Sequence, residues 1–308
     1  MKKEFFFVVN PASAGGKTKN LWPHIKALAE RENAEFGFYL TSHRMDASRI
    51  AARALKEGYK KIIAVGGDGT LNEVLNGFWD GTRKISHDSC LGYFPSGTGE
   101  DFSRTLGIEK LSVETQTERI LNAPGTLIDI GEVHFQKGDG SLATRKFINE
   151  SSVGFGANVT ELVNRSNKIF GGKASFFAGV LRSLFFLKNH AVRIKTDGRD
   201  FFEGKALITA VTNGKYFGGS MMISPKAMID DGFFDVVVVR DMNRKEILRD
   251  IGSIYSGNHL SNPKVMSVRC KTLSVQSEEK VFLEMDGEPV GLIDAEFKLL
   301  EKEIRFLL

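Results

Sequence analysis

One stretch decides the fold of this chain: Ile62-Ile-Ala-Val-Gly-Gly-Asp-Gly-Thr-Leu-Asn-Glu-Val-Leu-Asn-Gly77. It opens with a short β-branched apolar run, which predicts a buried strand. Glycines then interrupt the run on both sides of Asp68, and apolar residues return at helical spacing from Leu71 onward. The stretch therefore predicts a strand, a glycine turn and the start of a helix.

This arrangement predicts a phosphate site. Glycines let a ligand approach the backbone, and the N–H groups and dipole at a helix N-terminus favour an anion. Because Asp68 would repel phosphate, its position indicates a cation between the two. An ordinary turn between strand and helix has the same outline. The Gly-Gly-Asp-Gly-Thr string, followed directly by Asn72 and Glu73, is more specific.

The composition describes a globular protein long enough for two domains, with 308 residues and 42% hydrophobic side chains. A formal net charge of +4 suits anionic nucleotides or an anionic membrane surface and argues against a nucleic-acid partner. Two cysteines, far apart, predict reduced thiols. No apolar run approaches a signal peptide or a membrane span, so we expect a cytoplasmic protein.

The N-terminal part alternates strands and helices, which predicts a doubly wound parallel sheet over residues 1–126. Such sheets bind ligands at the carboxyl ends of their strands. Four loops fall there, at residues 10–18, 41–46, 66–70 and 95–101. The ending Gly16-Lys17-Thr18 is not a P-loop, because Pro11 stands where that motif needs its first glycine.

Residues 127–300 are rich in short strands separated by Gly- and Asp-containing turns, which predicts a β-sandwich-like domain. The predicted strands are 126–133, 146–152, 191–196, 206–212, 234–239, 273–275, 281–284 and 295–299. A closing strand at 301–308 is left without a domain. Residues 173–188 have the pattern of an apolar helix, which fits a core helix, a wall of a hydrophobic cleft or a lipid-contacting surface.

Several motifs in order carry a resemblance. They are the 66–77 string, Asn10-Pro11, Pro95-Ser-Gly-Thr-Gly-Glu-Asp-Phe102, Ile128-Asp-Ile-Gly131, Phe147-Ile-Asn-Glu-Ser151 with Gly154-Phe-Gly156, Met228-Ile-Asp-Asp-Gly-Phe-Phe-Asp235 and Glu284-Met-Asp-Gly-Glu288. Together they resemble the diacylglycerol/sphingosine-kinase-like lipid kinases, and most closely the soluble bacterial members. The resemblance covers the whole chain. It implies a nucleotide-binding α/β domain, a β-sandwich domain and an active site in the cleft between them.

The resemblance also implies ATP and Mg²⁺ as cofactors. The expected ATP contacts are Asn10, Thr41, Gly67, Asp68, Gly69, Thr70, Leu71, Asn72, Glu73 and Thr98. Asp68 would act through magnesium-bound water, with Asp101 and Asp129 in the same carboxylate network. A second, structural magnesium ion would use Asp231 and the backbone carbonyls of Met228 and Phe233.

The turn Asp286-Gly287-Glu288 is expected to supply the base that takes the proton of the lipid hydroxyl. One glycine separates its two carboxylates, so both can point to one place, and crowding like charges raises the pKa of one. Glu288 is placed slightly ahead of Asp286. The chain departs from the family pattern at Glu100, where asparagine is usual; we expect Glu100 to favour a helix start.

The leading hypothesis is an ATP- and magnesium-dependent kinase acting on a lipid hydroxyl, with diacylglycerol as the default and a sphingoid base or another lipid alcohol equally open. It would act peripherally at the membrane surface, without nucleic acid, and a homodimer is conceivable by analogy. One alternative is a NAD kinase, whose family shares the glycine turn. The other is a catalytically silent module that binds nucleotide or lipid.

Overall fold

The computed structural model describes residues 3–97, 100–155 and 187–308. The chain divides into two compact units, Met1–Ile128 with Lys302–Leu308, and Asp129–Glu301. Both boundaries between the units fall within β-strands, at residues 128/129 and 301/302. The closing strand, which the sequence left without a domain, lies in the first unit. The sequence places the boundaries at 126/127 and 300/301.

The first unit alternates strands and helices in the order that the sequence predicts. Its elements are β1 (Phe5–Val9), α1 (Lys17–Arg31), β2 (Phe36–Leu40), α2 (Asp46–Lys56), β3 (Lys61–Gly66), α3 (Asp68–Asn76), β4 (Trp79–Asp80), β5 (Arg83–Lys84), β6 (Cys90–Pro95), α4 (Asp101–Thr105), α5 (Val113–Asn122) and the start of β7 (Gly125–Gln136). A short 3-10 turn, Ser13–Gly16, precedes α1.

The sheet of this unit is parallel and runs in the order β6-β3-β1-β2. The end of the last strand of the chain adds to β6, with Arg305 opposite Cys90 and Phe306 opposite Leu91, also in parallel. Such a sheet needs cover on both faces, because its strands are apolar throughout. Its strands end along one edge, which brings the loops after β1, β2, β3 and β6 to the same side.

Both faces of the sheet are buried. Phe5, Phe7 and Val9 of β1 pack with Trp22 and Ile25 of α1 in one core. The alternate residues Val8, Ile62 and Ala64 point to the other face and are also buried. Helices α2 and α3 lie close together, since a Cβ on Gly77 would come within 2.7 Å of the Ala51 Cβ. The α/β class predicted for this part is confirmed.

The second unit is mainly antiparallel β-structure. Its elements are the rest of β7, β8 (Leu142–Phe147), β9 (Glu150–Gly154), β10 (His190–Thr196), β11 (Arg199–Thr212), β12 (Phe234–Arg240), α6 (Arg244–Asp250), β13 (Val265–Cys270), β14 (Thr272–Gln276), β15 (Phe282–Met285) and β16 (Glu288–Leu307). Two 3-10 helices, Ile251–Ser256 and Asn258–Ser261, follow α6.

Strand order in the second unit is β13-β12-β11-β10-β14-β16, and β9 and β15 join β11 to β16 by a second route. Successive side chains of β12 point to opposite faces of the sheet, and each face packs into its own apolar core. Val236 and Val238 enter a core with β7, β9 and β15, whereas Val237 and Val239 enter a second core with Ile247 of α6. The β-sandwich-like character predicted for this part is confirmed.

Several described elements differ from the sequence-based prediction, among them the following. Residues 146–152 form the end of β8 and the start of β9 rather than one strand. Strand β13 and helix α6 have no counterpart in the prediction. The predicted apolar helix at 173–188 lies outside the described residues except for its last two. Within the part of the chain that the structure describes, no helix is long and apolar enough to cross a membrane.

Candidate active site

The backbone of the glycine turn after β3 packs closely against the backbone of the loop after β6. A Cβ on Gly66 would lie 2.5 Å from Thr70 Oγ1, and a Cβ on Gly97 would lie 2.6 Å from the Gly67 Cα. Neither position has room for a side chain. The turn is closed by Ser96, whose N–H donates to the Gly66 carbonyl at 2.8 Å. Gly67 then caps α3, with the N–H groups of Thr70 and Leu71 donating to its carbonyl.

Asp68 is held by two donors on the neighbouring strand and helix. The Tyr93 hydroxyl donates to Asp68 Oδ1 at 3.1 Å, and the Asp101 N–H donates to Asp68 Oδ2 at 3.0 Å. Tyr93 is fully buried, and burial together with the charge of Asp68 holds the pKa of its phenol well above the ordinary value. The hydroxyl therefore stays protonated and acts as a donor, which fixes the Asp68 carboxylate beside the glycine turn.

Negative charge is concentrated here. Glu100 is the N-cap residue of α4, at the helix start where the sequence places it; its backbone has a positive φ of 54° and its side chain makes no capping hydrogen bond. Burial, followed by the charge of Asp68, raises the pKa of Glu100. Among the described residues no group of three or more His, Cys, Asp or Glu side chains forms a metal site. The magnesium role of Asp68 and Asp101 stays a prediction.

The loops after β1 and β2 reach the same edge. Asn10 Nδ2 donates to Thr70 Oγ1 at 3.0 Å, and its Oδ1 accepts from the Ala12 N–H. Thr41 N–H donates to the Val9 carbonyl at 2.8 Å, which keeps the end of β2 beside the end of β1. The structure thus brings Asn10, Thr41 and the 67–70 turn together. Thr98, also predicted to contact ATP, lies outside the described residues.

The remaining predicted ATP residues lie in α3. Leu71 and Asn72 are fully buried. Glu73 accepts from the N–H groups of Met45 and Ala47, at 2.9 and 3.2 Å, and so joins α3 to the start of α2. The roles of these three residues as ligand contacts stay predictions.

In the second unit, Asp129 supports a turn. Its carboxylate accepts from the Gly232 N–H at 2.7 Å, and its own N–H donates to the Ile229 carbonyl at 2.7 Å. Asn213 Nδ2 donates to the carbonyls of both Asp129 and Ile148, at 2.9 Å each. Asp129 is fully buried. It is therefore a fixed group that links the start of this unit to residues 229–232.

Asp286 takes three backbone donors. Ile148 N–H bonds its Oδ2, and the N–H groups of Asn149 and Glu150 bond its Oδ1, all at 3.0 Å. The turn has left-handed backbone at Asp286 and at Gly287, with φ of 46° and 78°. Glycine at 287 suits that conformation. Glu288, at the start of β16, is only partly buried. The turn thus contains one deeply held carboxylate and one more accessible carboxylate.

Glu284 is a further acid of this turn that the sequence did not single out. Its Oε1 accepts from Ser152 Oγ at 2.6 Å, and its Oε2 accepts from the Gly287 N–H at 3.1 Å. Burial raises its pKa to about 7, and the charge of Asp286 assists this rise; a hydrogen bond shared with the Glu150 carboxyl and hydrogen bonds from Ser152 and Gly287 oppose it. A glutamate between Leu283 and Met285 in a buried strand was the available signal.

The predicted structural magnesium residues have other contacts. Asp231 Oδ1 accepts from the Phe233 N–H at 3.2 Å, and Arg269 Nη2 donates to Asp231 Oδ2. Met228 is exposed.

The sequence also gave no weight to Tyr93, although a tyrosine inside a buried strand requires a partner for its hydroxyl.

Two family models together match most of the chain. The diacylglycerol kinase catalytic domain matches residues 4–133, and the YegS C-terminal NAD kinase beta sandwich-like domain matches residues 149–308. Among curated relatives, a diacylglycerol kinase of Staphylococcus carnosus (strain TM300) is 29% identical over 304 residues, covering 99% of this chain and 94% of the relative. One of Staphylococcus haemolyticus (strain JCSC1435) is 31% identical, covering 99% and 88%.

Solved structures show the same fold. A proposed diacylglycerol kinase from Bacillus anthracis str. Sterne aligns with a TM-score of 0.76 at 24% sequence identity, over 99% of this chain and 95% of that one. The likeness extends through both units and confirms the two-domain architecture expected from the sequence.

Proposed function

We propose, from the premise that this chain belongs to the diacylglycerol kinase family and is an ATP-dependent lipid kinase, that it transfers the γ-phosphoryl group of ATP to the free hydroxyl of diacylglycerol. The relatives' names support diacylglycerol as the acceptor. The observation that carries the proposal is the Asp68 carboxylate, fixed by Tyr93 and the Asp101 N–H beside a glycine turn at the carboxyl end of β3. Phosphoryl transfer depends on such positioned charge.

Residues of the first unit would bind the nucleotide. The 67–70 turn offers backbone approach to the phosphates, Asn10 and Thr41 would contact the nucleotide from the same edge, and Thr98 is a further proposed contact. Carboxylate oxygens are the ligands that Mg²⁺ prefers. The Asp101 N–H donates to Asp68 Oδ2, which keeps these two acidic residues side by side at the turn, and their carboxylates would suit a magnesium ion. Bound magnesium would neutralise charge on the phosphates.

Residues of the second unit would act on the acceptor. Glu288 would take the hydroxyl proton as that oxygen bonds to the γ-phosphorus and the bond to the leaving ADP oxygen breaks. Asp286 would hold the turn, because three N–H groups already occupy its carboxylate. Asp129 would assist as a fixed carboxylate. The cleft between the domains, peripheral action at the membrane surface, a cytoplasmic location and a homodimer remain expectations of the same proposal.

A transfer assay tests the proposal. Radiolabelled γ-phosphate ATP is incubated with the protein, Mg²⁺ and mixed micelles that contain diacylglycerol, a sphingoid base or other lipid alcohols. NAD is included as a parallel acceptor, because the C-terminal family model is described as NAD kinase-like. We expect label in diacylglycerol with wild-type protein, and none with Asp68→Asn. Label in NAD would instead support the NAD kinase alternative. Nucleotide binding without phosphoryl transfer to any acceptor would favour the catalytically silent module.

The matched control is Asp139→Asn. Asp139 is an exposed loop carboxylate that accepts from the N–H and the hydroxyl of Ser141, so this variant makes the same chemical change away from the glycine turn. It should keep full transfer activity. Equal activity in Asp68→Asn and Asp139→Asn, with equal Tm, would overturn the assigned role of Asp68.

A further inference from the structure

The segment that the resemblance assigns to a structural magnesium ion is held by an arginine. Arg269 on β13 lies directly opposite Asp235 on β12 in the antiparallel pair. From there its guanidinium donates to Asp231 Oδ2, and its Nε lies 3.8 Å from Asp235 Oδ2. It also stacks over the Phe233 ring, 4.6 Å from the ring centre. One cation thus contacts three residues of the 231–235 segment.

Each oxygen of the carboxylate that a metal would need already accepts a hydrogen bond. Asp231 Oδ1 accepts from the Phe233 N–H and Oδ2 from Arg269, so both oxygens have donors. Mg²⁺ demands a compact octahedral shell of oxygens at short distance. A guanidinium on the carboxylate and stacked on the adjacent ring stands in the way of that shell. The residues present therefore do not fit a magnesium ion unless Arg269 moves.

The charges around the segment also favour the arginine. Burial raises the pKa of Asp235, and the charge of Arg269 opposes that rise. The charge of Lys226 also lowers the pKa of Asp235, whereas the charge of Asp231 raises it. Lys271, the other cation over the Phe233 ring at 5.4 Å, is paired with Glu301 at 3.0 Å. Arg269 is thus the cation that bonds Asp231, and a planar guanidinium suits both the carboxylate and the ring.

We propose that Arg269 takes the place of the structural magnesium ion in this chain, so that residues 228–235 are held without a divalent cation. The inference concerns the second unit alone and does not depend on which lipid is phosphorylated. It leaves the proposed magnesium ion of the first unit untouched. Because the Gly232 N–H bonds Asp129, the arginine holds a segment that contacts a residue of the proposed reaction.

The test measures thermal unfolding of the nucleotide-free, full-length Asp68→Asn protein, in which the other proposed cation site is removed. Its Tm is compared in EDTA and in excess MgCl₂. We expect the two values to agree within about 1 °C, since no ligand that binds only the folded state would be present at this segment. A higher Tm in MgCl₂ by several degrees overturns the proposal.

Variants at the arginine complete the test, again in EDTA. Arg269→Met keeps an apolar stem over Phe233 and removes the charge; we expect its Tm to fall by about 2–5 °C, the scale of losing a part-buried charged pair. Arg269→Lys, which restores a cation, should recover part of the loss. The matched control Lys271→Met removes the other cation over the same ring and should change Tm by less than about 1 °C. Equal Tm in the two methionine variants overturns the proposal.

Discussion

The phenolic hydroxyl of Tyr93 donates its hydrogen bond to Asp68 Oδ1 from inside β6, one strand away from the glycine turn that Asp68 belongs to. Since the phenol is buried and its pKa is raised, the bond has one direction over the whole working pH range. Asp68 is thereby oriented by a group that is chemically inert in the proposed reaction.

Tyr93→Phe should keep the fold and lower kcat. The ring remains in the buried strand, but Asp68 loses one of its two described donors, and one bond to a charged group corresponds to a loss of about tenfold or more. Steady-state kinetics with diacylglycerol measure it. Tyr59→Phe removes a hydroxyl elsewhere in the same unit, and its kcat should match that of wild type; a Tyr93→Phe enzyme as fast as this control would contradict the positioning role.

Asp286→Asn and Glu288→Gln should separate stability from chemistry. Asp286→Asn replaces an acceptor oxygen with an N–H₂ group facing backbone donors, so the free energy of unfolding should fall by about 1–3 kcal/mol. Glu288→Gln should leave Tm nearly unchanged and lower kcat by about 10²–10⁴-fold, as expected for a lost general base. Urea unfolding and transfer kinetics are measured on both. The opposite pattern would assign the base to Asp286.

Glu284 should make the stability of the protein depend on pH. Its pKa is about 7 in the folded chain against 4.5 for the ordinary group, so the folded state retains the proton that the unfolded state loses. Its contribution to the free energy of unfolding is fully present below pH 4.5 and declines as the pH rises toward about 7. Glu284→Gln, which stays neutral, should therefore gain stability relative to wild type between pH 5 and pH 8.

Urea unfolding at several pH values tests this dependence. The control variant, Glu278→Gln, changes an exposed glutamate of the same unit and should follow the wild-type curve. If the difference between Glu284→Gln and wild type stays constant across the range, the group does not titrate there.

Gly97→Ala should impair the nucleotide site. The added Cβ would lie 2.6 Å from the Gly67 Cα, and backbone cannot yield as a flexible side chain can. We expect a higher KM for ATP and a loss of about 1–3 kcal/mol in the free energy of unfolding, the range typical of overpacking. Gly138→Ala is the control, because its Cβ would meet nothing within 4 Å. Unchanged ATP affinity in Gly97→Ala would disprove the tight packing of the two loops.

The order of apolar, polar and glycine residues was sufficient to predict strands, helices and turns that depend on neighbouring residues. Strand β3 and helix α3 lie where the apolar run from Ile62 and the helical spacing from Leu71 predict them, because the apolar residues of both elements are buried. The glycine turn was likewise visible. Helix α6 was missed although its start carries a capping box, Asn243 with Glu246, which is a recognisable sequence signal.

Contacts between residues far apart in the sequence could not be predicted from hydrophobic periodicity. The sequence predicts one strand over 146–152, yet the chain breaks at Ile148 and Asn149 because their N–H groups turn to a carboxylate 138 and 137 residues later. The pairing of Tyr93 with Asp68 and of Arg269 with Asp231 follows from strand order and register, which periodicity does not contain. The sequence could therefore name Asp68, Asp129 and Asp286, but not the partners that fix them.

The closing residues of β16 set the order in which the protein can be completed during synthesis. Phe306 pairs with β6 and packs against the Phe102 ring at 5.6 Å, Leu307 is buried beside Ile63 and Phe94, and Arg119 donates to the Leu307 carbonyl at 2.7 Å. A ribosome releases this segment only after all of the second unit. Most of the first unit is made first, but its sheet keeps an unpaired edge at β6 until the second unit has been synthesised, and an unpaired strand edge is prone to pair with another chain.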